Sequence, residues 1–323
     1  MEIRWPTGHL AIATLLGSVS GLVIMPDPPG RVVALGDLHG DLQAAERVLK
    51  LAGIIDDSHS WVGGDATLVQ LGDLLDRGAE EQGVWDLFQR LRDEAPQSHG
   101  RVIRLIGNHE VLNVLGKAGH YIHPRGHEHF GGDRCSAFRP GGQLAMELAE
   151  FPVVAIVGDS IFAHASLPED ATVKHLEELN VATKRWIQGK AGTPVALLGG
   201  RNSPVWDRTF SCPNDIEVPE MDCNELRRNL DQLGVSRLVI GHTPQDAVNC
   251  ACEGAVWRCD TGQSRWVMGG ACEALEILDG RVRVISTSSL PRTGGAELVG
   301  DIVLTSEDAL DDPICSDSEL FFS

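Results

Sequence analysis

The 323-residue sequence predicts an α/β fold whose functional groups gather along one rim. Two observations carry that expectation. Short apolar, β-branched runs recur, and each ends abruptly in glycine with charged or imidazole residues. Amphipathic stretches at helical spacing separate the first of these runs. Strand, loop, helix, strand is the order of a βαβ unit, and ligands in such sheets collect at the carboxyl ends of the strands.

Taken in order, Arg31 to Leu35 runs into Gly36-Asp37-Leu38-His39-Gly40, and Asp41 to Ala52 follows as a helix with Leu42, Ala45, Val48, Leu49 and Ala52 on one face. Thr67 to Leu71 runs into Gly72-Asp73-Leu74-Leu75-Asp76-Arg77-Gly78. A second helix spans Glu80 to Arg92, with Val84, Leu87, Phe88 and Leu91 apolar. Arg101 to Ile106 runs into Gly107-Asn108-His109-Glu110. Ser160 to Ala163 ends at His164, and Arg237 to Ile240 ends at Gly241-His242-Thr243. The last part turns antiparallel: Ala255 to Cys259 reads as a strand, and Leu275 to Ile285 as a hairpin about Asp279-Gly280.

Residues 31–290 read as one domain between two unlike ends. Residues 1–30 contain an apolar, uncharged run from Leu10 to Met25. Read to Ser20, it has signal-peptide character, with small residues Ser18 and Ser20 before the break. The other reading is a buried N-terminal helix or strand. The first reading implies the secretory pathway, an organelle or membrane association, and the second the cytoplasm. Residues 291–323 carry no Lys or Arg after Arg292 but eight acidic residues from Glu297 to Glu319, the composition of a solvated tail.

The formal charge of −19 and the single Tyr argue against nucleic acid as a partner, because backbone binding needs cations and base stacking needs aromatic platforms. A membrane contact is expected only through the N-terminal segment. Eight cysteines show no paired CxxC units, and most read as thiols.

The rim offers carboxylate, imidazole and amide donors: Asp37, His39, Asp73, Asn108, His164 and His242. That mixture suits hard or borderline divalent ions. Each motif alone is an ordinary turn. Five of them in order, each after an apolar strand, point to a metal site with a ligand able to bridge two ions.

These residues carry a resemblance. Gly36-Asp37-x-His39-Gly40, Gly72-Asp73-x-x-Asp76-Arg77-Gly78 and Gly107-Asn108-His109-Glu110 resemble the three defining motifs of the phosphoprotein phosphatase family, within the calcineurin-like metallophosphoesterases. Ala137-Phe138-Arg139-Pro140-Gly141-Gly142, Ser203-Pro204-Val205-Trp206-Asp207-Arg208, Gly241-His242-Thr243-Pro244-Gln245 and Asn249-Cys250-Ala251-Cys252 are similar to features of its Shewanella-like subgroup.

The resemblance implies a β-sandwich of mixed sheets flanked by helices. It implies two divalent ions (Mn, Fe or Zn), with Asp37, His39, Asp73 and His242 at one and Asp73, Asn108 and His164 at the other, Asp73 bridging. His109 is implied as general acid oriented by Asp76. Arg77 and Asn108 are implied at the phosphate, with Arg208, or alternatively Arg201, as a second clamp. The implied reaction is hydrolysis of a phosphorylated protein, on Ser/Thr or Tyr, or of a small phosphoester. Nucleotide or dinucleoside-polyphosphate hydrolysis on the same site is a second reading, and a binding-only pseudophosphatase a third. The sequence departs from the family after His164, where Ala165 and Ser166 stand in place of two glycines.

Overall fold

The computed structural model describes residues 23–25, 30–169, 171–213 and 217–287. The expected leader through residue 22 and the acidic tail from residue 291 lie outside the described residues. Among the described residues, eleven strands form two sheets. In the first, β2 (Val32–Leu35), β3 (Thr67–Gln70) and β4 (Arg101–Arg104) run parallel, and the hairpin of β10 (Glu273–Leu278) and β11 (Arg281–Ser286) adds antiparallel to β2. The second has the order β1 (Val23–Met25), β5 (Val154–Val157), β6 (Ser160–Ala163), β7 (Arg237–Ile240), β9 (Val256–Arg258) and β8 (Asn249–Ala251). Within it β6, β7 and β9 are parallel neighbours, so their carboxyl ends share one edge.

Strand alternation builds the sandwich. Val32, Ala34, Val69 and Ile103 face Ala155, Val157, Phe162 and Val239 in one apolar layer between the sheets. Their neighbours Val33, Leu35 and Leu68 join the second apolar cluster, together with Val48 and Leu49 of α1 (Leu42–Leu51) and Phe88 and Leu91 of α2 (Glu81–Glu94). Strands buried on both faces need continuous apolar runs, which is why these runs were legible in the sequence. On the other sheet Ile161, Leu238 and Ile240 belong to that second cluster with Leu176 of α6 (Val173–Ile187) and Leu226 and Leu230 of α7 (Glu220–Leu233).

The local chemistry matches the elements. Asp41 caps α1, its side chain accepting from Ala44 N at 3.0 Å. The Asp279-Gly280 turn has φ of 51° and 71°, the left-handed pair a tight hairpin requires. The expected loop at residues 107–110 differs: Asn108 opens α3 (Asn108–Val114), so His109 and Glu110 stand on the first turn of a helix. Two further short helices, α4 (Arg134–Phe138) and α5 (Gln143–Leu148), follow a stretch that carries His120, His123, His127 and His129.

Most cysteines were expected as thiols, yet Cys223 on α7 and Cys252 after β8 form a disulfide across 29 residues of sequence. Cys250, Cys259 and Cys272 are free thiols. Among the described residues, no helix is long and apolar enough to cross a membrane.

Candidate active site

The ends of β2, β3 and β4 in one sheet and of β6 and β7 in the other bring Asp37, His39, Asp73, Asn108, His109, His164 and His242 together, all buried. Close packing here depends on glycine. At Gly72, with φ of 101°, a side chain would meet the Gly107 backbone at 2.7 Å and His164 Nδ1 at 2.9 Å. His39, Asp73, Asp76, Arg77 and His242 themselves hold left-handed φ between 41° and 74°. Such backbone strain in residues with side chains collects at functional sites.

Three imidazoles are fixed the same way. His39 Nδ1 lies 3.0 Å from Leu75 O, His164 Nδ1 2.8 Å from Leu71 O, and His242 Nε2 3.2 Å from Trp206 O. A carbonyl only accepts, so each of these nitrogens donates and carries the proton. The other nitrogen of each ring therefore offers a lone pair to the centre. His39 Nε2 is 3.6 Å and His164 Nε2 3.5 Å from Asp73 Oδ2, while His164 Nε2 lies 2.9 Å from Asn108 Oδ1 and 3.1 Å from His242 Nδ1. Acceptors face acceptors here with no donor between them, a set that a cation satisfies. Two groups can hold an ion: Asp73 with His164 and His242, and Asp73 with His39 and His109. His242 thus lies with His164, whereas the family resemblance put it beside His39.

Electrostatics agree. Burial first, then Asp260 and Asp73, pushes Asp37 well above the usual carboxylate range, and burial pushes Asp73 up to about 8. Burial likewise holds His39 and His242 well below the imidazole range and His164 down at about 4, so the rings are neutral and available as ligands.

His109 stands apart in its partners. Its Nδ1 is 2.7 Å from Asp76 Oδ2, and its backbone N donates to Asp73 Oδ1 at 2.9 Å. Burial and then Arg77 hold its pKa well below the imidazole range. Arg77 is exposed and its guanidinium lies 5.2 Å above the Tyr121 ring, which in turn packs edge-on to His109 at 4.8 Å. Arg208 is exposed too, donates to Thr243 Oγ1 at 2.8 Å, and feels Asp37, Asp260 and Asp73. Arg201, the alternative clamp, instead pairs with Asp222 of α7.

Ala165 and Ser166 are fully buried, and neither has a left-handed backbone that would demand glycine. Ala165 N donates to Pro204 O at 2.8 Å. Among the described residues, His120, His123, His127 and His129 enter no cluster able to hold an ion. His123 instead packs on Trp266 at 4.9 Å.

Residues 30–246 match the calcineurin-like phosphoesterase family. The chain belongs to it. Shewanella-like protein phosphatase 2 of Arabidopsis thaliana is 34% identical, covering 84% of this chain and 85% of that protein. Shewanella-like protein phosphatase 1 of Plasmodium berghei is 29% identical, covering 73% of this chain and 67% of that protein. A cold-active protein-tyrosine phosphatase of a psychrophilic Shewanella species, known by crystal structure, matches with a TM-score of 0.65 at 25% identity, covering 81% of this chain and 80% of that one. This calcineurin-like phosphoesterase is therefore a hydrolase of protein-phosphatase type, of the Shewanella-like group, with buried His and Asp metal-binding residues.

Three residues outside the expected set complete its site. Glu110 accepts from four backbone N–H groups, those of Gly107, Asp73, Leu74 and Leu75, at 2.8–3.3 Å. Asp260, at the end of β9, lies against Asp37 and is raised by burial to about 6. Its signal was the same apolar run ending in Asp-Thr-Gly that marks the other strands. Arg134 binds Asp76 and had no motif to mark it.

Proposed function

We propose that the chain is a phosphoprotein phosphatase that holds two divalent ions and hydrolyses a phosphate monoester in line. The carrying observation is the set of facing acceptors: His39 Nε2, His164 Nε2 and His242 Nδ1 turned inward on Asp73 by carbonyl bonds to their opposite nitrogens. Asp37, His39 and Asp73 would hold one ion, and Asp73, Asn108, His164 and His242 the other, with Asp73 shared. Mixed nitrogen and oxygen ligands fit Mn, Fe or Zn. When bound, the ions would lower the pKa of water and offset charge on the phosphoryl oxygens.

The chain's own residues do the rest. Arg77 and Arg208, both open to the mouth, bind the non-bridging oxygens, because a guanidinium fork matches phosphate geometry. Asn108 reaches the same phosphate. His109 gives the proton on Nε2 to the departing oxygen while Nδ1 stays bonded to Asp76. Burial and then Arg77 depress His109, and an anionic phosphate beside Arg77 would offset the second of these. Residues 31–290 act as the catalytic unit. This complete set leaves a binding-only role without support.

The test is the full chain, stripped of metal and assayed on p-nitrophenyl phosphate with added Mn²⁺. Activity should return with the ion and be lost in Asp73→Asn. Turnover that survives either removal would sink the mechanism. Phosphotyrosine and phosphoserine peptides should then be cleaved in preference to a dinucleoside polyphosphate, and the reverse preference would move the assignment to nucleotides.

A further inference from the structure

Asp76 is fully buried between two kinds of partner. On one side its Oδ2 meets His109 Nδ1 at 2.7 Å. On the other, Arg134 NH2 donates to Oδ1 at 2.7 Å, and Asn113 Nδ2 donates to both oxygens at 3.0 and 3.1 Å. Arg134 is itself buried and uses its whole fork. NH1 donates to both Glu81 oxygens at 2.7 Å, and Nε donates to Asn113 Oδ1 at 2.7 Å. The guanidinium also packs against the rings of Phe138 and Phe130, at 5.2 and 5.6 Å. Plane, depth and rotation of the cation are therefore all set, and with them the Asp76 carboxylate.

We propose that Arg134 is a positioning residue for the leaving-group proton: it fixes Asp76 so that His109 presents Nε2 to the departing oxygen. The inference rests on the reading of His109 as general acid. Three features argue for it over simple core pairing. Arg134 lies on α4, 58 residues from Asp76, and touches no proposed metal ligand, yet it joins the carboxylate that orients His109. Asn113 couples the two halves, because it also donates to His109 O at 2.9 Å and so ties Asp76, Arg134 and the first turn of α3 into one unit. Glu81 anchors the far side of the guanidinium from α2, so Arg134 cannot follow a moving Asp76.

A group that orients the acid matters most when the leaving oxygen is poor, since a good leaving group departs without protonation. The experiment compares kcat on p-nitrophenyl phosphate with kcat on phenyl phosphate in the full, Mn²⁺-loaded chain, with bound metal measured in each variant. Arg134→Met alone leaves Glu81 as a buried, unpaired carboxylate, so the main variant is Arg134→Met with Glu81→Gln, and Arg134→Lys keeps the charge without the fork. The ratio of the two rates should rise by about tenfold or more in the double variant, and by less in Arg134→Lys, at unchanged metal content; general acid catalysis typically supplies about 10²–10⁴-fold. His109→Asn sets the scale. If it raises the ratio and the Arg134 variants do not, the positioning role is overturned while the acid assignment stands. If His109→Asn leaves the ratio unchanged, the acid assignment itself fails, and the inference with it.

Discussion

The carboxylate of Glu110 gathers four backbone N–H groups and thereby ties the turn after β3 to the start of α3. Those are the turns that carry Asp73, Asn108 and His109, so on the proposed function Glu110 would act on the metal ligands through the main chain rather than by contact with an ion. Burial and the nearby Asp73 raise it to about 7, while the backbone donors oppose that rise. Glu110→Gln replaces one acceptor oxygen by a donor that must face other donors. Groups that orient ligands typically matter by about 10–100-fold in metal affinity or activity. Glu110→Gln is expected to weaken Mn²⁺ activation within that range, read as the Mn²⁺ concentration for half-maximal rate. An unchanged Mn²⁺ response would confine Glu110 to folding alone. At this scale the candidate ligands stand out in the sequence because they follow strands. Asp260 follows a strand as well, but its place against Asp37 depends on Gly36 packing on the Cys259–Asp260 backbone, and Arg134 was hidden because its position depends on Glu81 of α2 meeting α4.

At the scale of elements, helices α1 and α2 fall within two residues of the ends read from periodicity, because a single buried face sets the spacing. Helices α4 and α5 have five and six residues, too few for a period to appear. Nor could the sequence pair Cys223 with Cys252, since their approach follows from α7 packing beside the β8–β9 end of the second sheet. Closing a loop of about 30 residues removes roughly 3–4 kcal/mol of unfolded-state entropy in the chain-entropy account. Helix α7 supplies no group to the metal centre, so the cross-link is expected to serve stability and not turnover. Cys223→Ser should lower the urea midpoint, with kcat changed by less than about twofold. A matching loss of kcat under native conditions would mean that α7 communicates with the site.

For the whole molecule, the two-sheet design concentrates charge of one sign in a dry place. Burial raises Asp73 to about 8, Glu110 to about 7, and Asp260 and Asp76 to about 6 in the metal-free chain. A carboxyl whose folded pKa lies above its unfolded value adds stability that is complete below the unfolded pKa, near 4, and is lost as pH rises through the folded pKa. The buried histidines act oppositely, with folded values held below the ordinary imidazole value by burial, so their contribution is complete above about 6.5 and lost as pH falls. The two effects overlap below pH 6.5 and separate above it. From about pH 6.5 the opposing histidine effect fades within roughly a unit while the carboxyls keep changing to about pH 8, and each net proton is worth about 1.4 kcal/mol per pH unit. Metal-free protein should therefore melt lower at pH 8 than at pH 6.5. With saturating Mn²⁺ the ligand carboxylate Asp73 would already be ionised against the cations, so the melting temperature should change less. Thermal melts in chelator and in Mn²⁺ across that window measure the difference directly. A gap that widens as pH rises is the expected result, and a constant or narrowing gap would mean that Asp73 does not face a cation in the loaded protein.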